Sequence, residues 1–131
     1  MTEILDLSRT YLHLNESGAE QLPVDDQFWE RVISGALPLP GWLVAVFEFP
    51  EADDGEQGDS EMHPLGDEVH LCLSGAMSAV LEYDTGTKVI DFAAGEACQV
   101  PRGTWHRLVA RQPSRIVSFT FGTGTEHRAA G

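Results

Sequence analysis

From Gly41 to Phe121 the chain alternates short apolar runs, rich in Val, Phe and Trp, with clusters of Gly, Pro and Asp. That rhythm is the mark of an all-β sandwich or barrel. It predicts strands near residues 42–49, 60–63, 68–74, 77–83, 87–92, 96–100, 105–111 and 114–121. Asp84-Thr85-Gly86 and Ala93-Ala94-Gly95 have the chemistry of tight turns, so adjacent strands are expected to pair antiparallel. The first 40 residues read differently. Residues 11–14 suit a short strand, and Asp26 is placed to cap a short helix carrying Phe28, Trp29, Val32 and Ile33. Gly35 should end that helix, and Pro38 and Pro40 keep it from resuming. Between Glu51 and Ser60 the segment EADDGEQGDS carries five acids and two glycines, too polar to bury, and is expected to be a mobile loop. Residues 122–131 read as a loosely held tail.

The division expected is a lead-in over residues 1–40 packing on a barrel over 41–121, followed by the tail. At 131 residues with 42% apolar side chains, the chain can fill one core. The longest apolar run, WLVAVF at 42–47, is far too short to cross a bilayer, and the opening MTEILD lacks the basic and apolar regions of a signal peptide. A cytoplasmic location is the default expectation. Cys72 and Cys98 form no CxxC pair and are expected to be buried free thiols. Eight basic residues against 21 acidic ones give a net charge of −13, which opposes nucleic acid and anionic membranes as partners.

Two clusters of residues carry candidate chemistry. Gly55, Glu61, His63, Glu68 and Gly75 are spaced G-x5-E-x-H-x4-E-x6-G, and Gly95, Pro101, Gly103, His106 and Ala110 are spaced G-x5-P-x-G-x2-H-x3-A. These resemble the two motifs of the cupin superfamily, with agreement at eight of ten fixed positions. The departures are Glu61, where the family pattern has histidine, and Ala110, where it has asparagine. The resemblance implies a double-stranded β-helix, the jelly-roll barrel of the cupins, over roughly residues 41–121. It also implies one divalent metal ion (Fe, Mn, Ni or Zn) held by His63, Glu68 and His106, with Glu61 completing or tuning the set. By analogy with other small cupins it suggests a homodimer, with residues 11–14 packing on the partner's sheet.

The residues support the same ligands without the family. Side chains alternate faces along a strand, so Glu61 and His63 share a side, as do Glu68, His70 and Cys72. Pro64-Leu65-Gly66-Asp67 should fold the second of these strands back beside the first, and Pro101-Arg102-Gly103-Thr104 delivers His106 just beyond a similar turn. Two imidazoles and a carboxylate converging from separate strands form the arrangement used by non-haem Fe(II) sites. Glu61 alternatively serves as a general base, and His70 as an acid or base lining the pocket or as a histidine hydrogen-bonded within the barrel. His13 and His127 are expected at the surface, and Trp42, Phe47, Trp105, Phe119 and Phe121 in the core.

Three functions remain open at this point. The first is a metal-dependent enzyme of dioxygenase, isomerase or decarboxylase type acting on a small organic molecule in the barrel. The second is a module that binds or senses a small molecule without turnover. A metal-free structural protomer is the third.

Overall fold

A computed structural model describes residues 4–53 and 58–129. Eleven strands and one helix follow in chain order: β1 (Thr10–Asn15), β2 (Gly18–Pro23), α1 (Phe28–Ser34), β3 (Trp42–Phe49), β4 (Asp59–Met62), β5 (Glu68–Ser74), β6 (Ala76–Tyr83), β7 (Gly86–Ala93), β8 (Ala97–Val100), β9 (Trp105–Ala110), β10 (Ser114–Thr120) and β11 (Glu126–Ala129). They make two antiparallel sheets, one of six strands ordered β2-β1-β3-β10-β5-β8 and one of five ordered β11-β4-β9-β6-β7. No helix among the described residues is long and apolar enough to cross a membrane.

Strand positions agree with the sequence pattern, but several pairings do not. β4 and β5 lie in different sheets, so the turn at 64–67 carries the chain across the barrel rather than folding it back alongside. The same holds for β7 and β8, whose connection through Ala94 and Gly95 crosses between sheets. Alternation reports which face is buried and says nothing about which strand lies next door. The turn at Asp84 and Thr85 does join paired neighbours, β6 and β7.

The lead-in is part of this architecture. β1 pairs with β3 in the six-stranded sheet, and β2, which has no apolar alternation, pairs with β1 as its edge. Gln27, not Asp26, occupies the helix N-cap without a side-chain hydrogen bond, while the Asp25 carboxylate accepts from the Gln27 amide at 3.0 Å. Gly35 ends α1 with φ +81°, as expected. Phe28 is buried against Tyr11, with ring centroids 5.3 Å apart and nearly perpendicular planes. His13 is buried rather than exposed, because its Nε2 donates to the Pro40 carbonyl at 2.5 Å and so ties the end of the lead-in to β1. Trp42, Phe47, Trp105, Phe119 and Phe121 are only half-buried.

The main core occupies the interior between the sheets and is built from Cys72, Met77, Leu81, Phe92, Val100 and Ile116 among others. Cys72 and Cys98 are free and buried. Residues 126–129, expected to belong to a loose tail, form β11 and pair with β4 throughout. That strand is clamped by charge: the Arg128 guanidinium lies 4.1 Å over the Trp105 ring and 3.6 Å from Glu82, whose carboxylate also accepts from Ser60. Gly55 and most of the acidic stretch between 53 and 58 lie outside the described residues.

Gly75, between β5 and β6, has φ +88°, and a Cβ there would run into the Pro113 carbonyl and Ser114. Gly86 has φ +131° with open space around it. Gly86→Ala should therefore lower stability by roughly 1–2 kcal/mol from backbone conformation alone. Gly75→Ala should cost about 3–4 kcal/mol, since overpacking adds to the same strain. Urea unfolding of both variants checks the difference, and equal midpoints would contradict it.

Candidate metal centre

The interior changes character along its length. On β5 the buried face carries Glu68, His70 and Cys72, while Val69, Leu71 and Leu73 are the less buried ones. This reverses the usual placement of apolar residues inside. The facing strand matches it position by position: in the register of β10 on β5, Ile116 sits opposite Cys72, Ser118 opposite His70 and Thr120 opposite Glu68. Polar residues thus meet polar ones at one end of the barrel, and the apolar core fills the other.

That register produces the hydrogen bonds. The Thr120 hydroxyl donates to Glu68 Oε2 at 2.5 Å, His70 Nδ1 lies 2.7 Å from Ser118 Oγ, and His70 Nε2 lies 2.7 Å from Glu68 Oε1. From the other sheet come Glu61 on β4 and His106 on β9, which are direct cross-strand partners. His63 follows one residue beyond β4. The structure brings Glu61, His63, Glu68 and His106 together, with one ligand atom from each lying within 4.8 Å of the others. His70 stands behind this group, hydrogen-bonded to Glu68. His127 on β11 is exposed, as expected, yet its Nε2 is 3.5 Å from Glu61 Oε2.

The two histidines are oriented as metal ligands need to be. His106 Nδ1 donates to the Thr104 carbonyl at 2.9 Å, so the proton sits on Nδ1 and Nε2 turns to the centre. His63 Nδ1 lies 2.7 Å from Thr125 Oγ1, whose own hydroxyl donates to the Gly122 carbonyl at 2.7 Å. Thr125 must therefore accept from His63, which again leaves Nε2 for the centre. This Nε2 is buried and makes no hydrogen bond, although Glu68 Oε2 is only 3.1 Å away and Glu61 Oε1 3.5 Å. An orphaned imidazole nitrogen between two carboxylates fits a cation, and these four side chains could hold a metal ion. Nothing in local pattern marked Thr125, since a threonine after Gly-Thr-Gly reads as loop; only the pairing of β11 brings it under His63.

Charge tells the same story. Glu68 has 2% of its surface exposed. Burial alone would raise its carboxyl, but the neighbouring His70, with His106 and His63, holds it well below its usual value. Glu61 is likewise opposed by burial and lowered to about 2 by His106 and His63. Burial would lower the imidazoles, yet Glu61 and Glu68 outweigh it and raise His63 to about 9 and His106 to about 10. Without a cation the cluster thus balances two carboxylates with two imidazoliums. A divalent ion with two neutral imidazoles gives the same net charge, so metal and protons compete for one site.

In metal-free protein, the carboxylate contribution to stability is present above the unfolded value of 4.5 and is lost as pH falls. The imidazole contribution is full below 6.5 and lost as pH rises through about 9 to 10. The urea midpoint of metal-free protein should therefore decline above pH 6.5, whereas Zn(II)-loaded protein should show no such decline; a flat metal-free profile would contradict the assignment. Thr125→Val, which removes the acceptor fixing His63, should weaken Zn(II) affinity by about 10–100-fold while leaving the far-ultraviolet circular dichroism unchanged.

A cavity of about 770 Å³ opens above the centre, lined by Glu61, His63, Glu68, His70, Ser118, Thr120, Thr125 and His127 and by an apolar wall that includes Trp29, Leu37, Leu43 and Phe47. Much of that wall belongs to α1 and the segment after it, so the lead-in shapes the mouth of the barrel.

No family model and no curated protein sequence matches the chain. Among solved structures, hydroxypropylphosphonic acid epoxidase from S. wedmorenis superposes with a TM-score of 0.53 at 14% identity, covering 61% of this chain and 43% of that one. An oxalate oxidase gives 0.51 at 19% identity, covering 65% and 45%. A cupin superfamily protein from Desulfitobacterium hafniense DCB-2 gives 0.49 at 18%, covering 66% and 74%. This chain spans less than half the length of the epoxidase and oxidase chains. At such identities the likeness is one of fold, and the fold is the double-stranded β-helix jelly roll of the cupins.

Proposed function

We propose that this chain is a metal-dependent enzyme acting on a small organic molecule held in the cavity, with one divalent ion on Glu61, His63, Glu68 and His106. The observation that carries this reading is the buried, hydrogen-bond-free Nε2 of His63 aimed between two carboxylates at the floor of an apolar cavity. An ion held there would supply Lewis-acid polarisation and, if redox-active, one-electron chemistry. Structures of the epoxidase have been described with Co(II) and Fe(II) together with substrate, and one of oxalate oxidase with the substrate analogue glycolate. Both support small-molecule chemistry in this fold without choosing a reaction for this chain.

The protein's own part is positioning and proton handling. Thr104 and Thr125 hold the two imidazoles in the tautomer that presents Nε2. Thr120 and His70 orient Glu68. Glu61 has a side chain 36% exposed; its Oε1 faces His63 and His106 at 3.5 and 3.7 Å, and its Oε2 faces His127. It can ligate through the first oxygen and take a substrate proton on the second. His70 acts as a positioning residue, because both of its ring nitrogens are engaged by Ser118 and Glu68. That engagement leaves few groups for acid–base work and favours, as the second reading, a module that captures its ligand without turnover.

Elemental analysis of protein purified without a histidine tag should find about one equivalent of Fe, Mn, Ni or Zn per chain. His106→Ala should lose it; retained metal would remove His106 from the centre. Anaerobic loading with Fe(II), followed by oxygen uptake and product analysis with small phenols and diketones, separates enzyme from binder. Saturable binding with no turnover would establish the second reading.

A further inference from the structure

The sequence has eight lysines and arginines, all among the described residues, and none of them lines the cavity. Several are committed elsewhere: Arg31 to Asp25, Arg115 to Glu48, Arg128 to Glu82, and Arg111 to the Ser78 hydroxyl. The imidazoles offer no substitute. Those of His63 and His106 face the centre, His70 is held by Ser118 and Glu68, and His127 faces Glu61.

Meanwhile the cavity contains two carboxylates, Glu61 and Glu68, whose charges offset that of a divalent ion. A ligand that brings a dianionic group would therefore lose its hydration with no cation left to pair it, the situation in which buried charge is most costly. Pockets built for phosphonates and dicarboxylates supply a guanidinium or ammonium for that purpose. What this cavity supplies instead is apolar surface: Trp29, Val32, Leu37 and Leu39 from the lead-in, and Leu43 and Phe47 from β3. Trp29 and Phe47, with ring centroids 6.1 Å apart, present two aromatic rings to any occupant. The volume is within the range of about 300–1,000 Å³ for small-ligand sites.

Resting on the metal-centre reading above, we propose that the cavity takes an uncharged, largely apolar molecule with a single weakly acidic oxygen donor, a phenol or an enolisable ketone. The oxygen turns toward Glu61, His63, Glu68 and His106, and the carbon skeleton packs against the lead-in wall. The cavity discriminates against dianions, so the substrate classes named in the epoxidase and the oxalate oxidase do not transfer with the fold.

The test is a binding comparison on Co(II)-loaded protein with 4-ethylphenol and phenylphosphonate, read by tryptophan fluorescence and by the Co(II) absorption bands. 4-Ethylphenol should bind at least tenfold more tightly. Ile33 lines the rim and is 70% exposed, so Ile33→Arg should fold and should shift the preference toward phenylphosphonate. Equal or tighter binding of phenylphosphonate by wild type overturns the proposal, as does failure of both probes to change either signal while Co(II) is bound. If Co(II) does not bind, the metal-centre reading fails separately. The same probe pair on metal-free protein then decides the ligand class by fluorescence, with preference for the phenol supporting it and preference for the phosphonate overturning it.

Discussion

Glu68 is a carboxylate buried inside a β-barrel, and a buried negative charge persists only where cations and hydrogen-bond donors surround it. Four neighbours of Glu68 answer that requirement. Thr120 donates from the adjacent strand, His70 approaches along the same strand, and His106 and His63 arrive from the opposite sheet. The register between β5 and β10 places Thr120 opposite Glu68 and Ser118 opposite His70. A slip of one residue would turn Glu68 and His70 outward and put Val69 and Leu71 in their place, exchanging the whole site for apolar surface. The polar end of the barrel therefore depends on the same strand pairing that builds its core.

The centre also depends on parts of the chain far from the motifs. β11 brings Thr125 beneath His63 and His127 beside Glu61, and β11 is itself held by Arg128 on Trp105 and Glu82. At the other end of the sequence, α1 and the segment after it form much of the cavity's apolar wall, and β1 seats them through Tyr11 against Phe28 and the His13 bond to Pro40. A barrel of residues 41–121 alone would keep the ligand side chains but lose the acceptor that orients one histidine and much of the surface that encloses a ligand. Ends and centre function as one unit.

How much of this was legible in the sequence follows from what each signal measures. Turn chemistry and alternation placed the strands, because they depend on neighbouring residues. The resemblance of their spacing to the cupin motifs singled out Glu61, His63, Glu68 and His106, which the structure brings together. Sheet membership was not legible: a turn such as 64–67 is compatible with folding back or with crossing the barrel, and only the packing of both sheets decides. β2 and β11 were missed because edge strands with exposed side chains carry no apolar period. His13 was assigned to the surface because a lone histidine in a short strand gives no sign of a carbonyl 27 residues away.

Glu61 stands where the cupin pattern has a third imidazole. Three neutral imidazoles and one carboxylate around a divalent ion leave a net charge of +1, which attracts an anionic ligand. Replacing one imidazole with a second carboxylate removes that charge. Glu61 also lines the cavity, with one oxygen toward His63 and His106 and the other toward His127. With a divalent ion held as proposed, the centre beneath the apolar wall would be neutral, and in a chain of net charge −13 it would offer little to a dianion and more to a molecule whose only polar atom meets the ion. A single substitution within the motif and the distribution of cations over the whole chain thus point to the same ligand chemistry, although neither constrains the other.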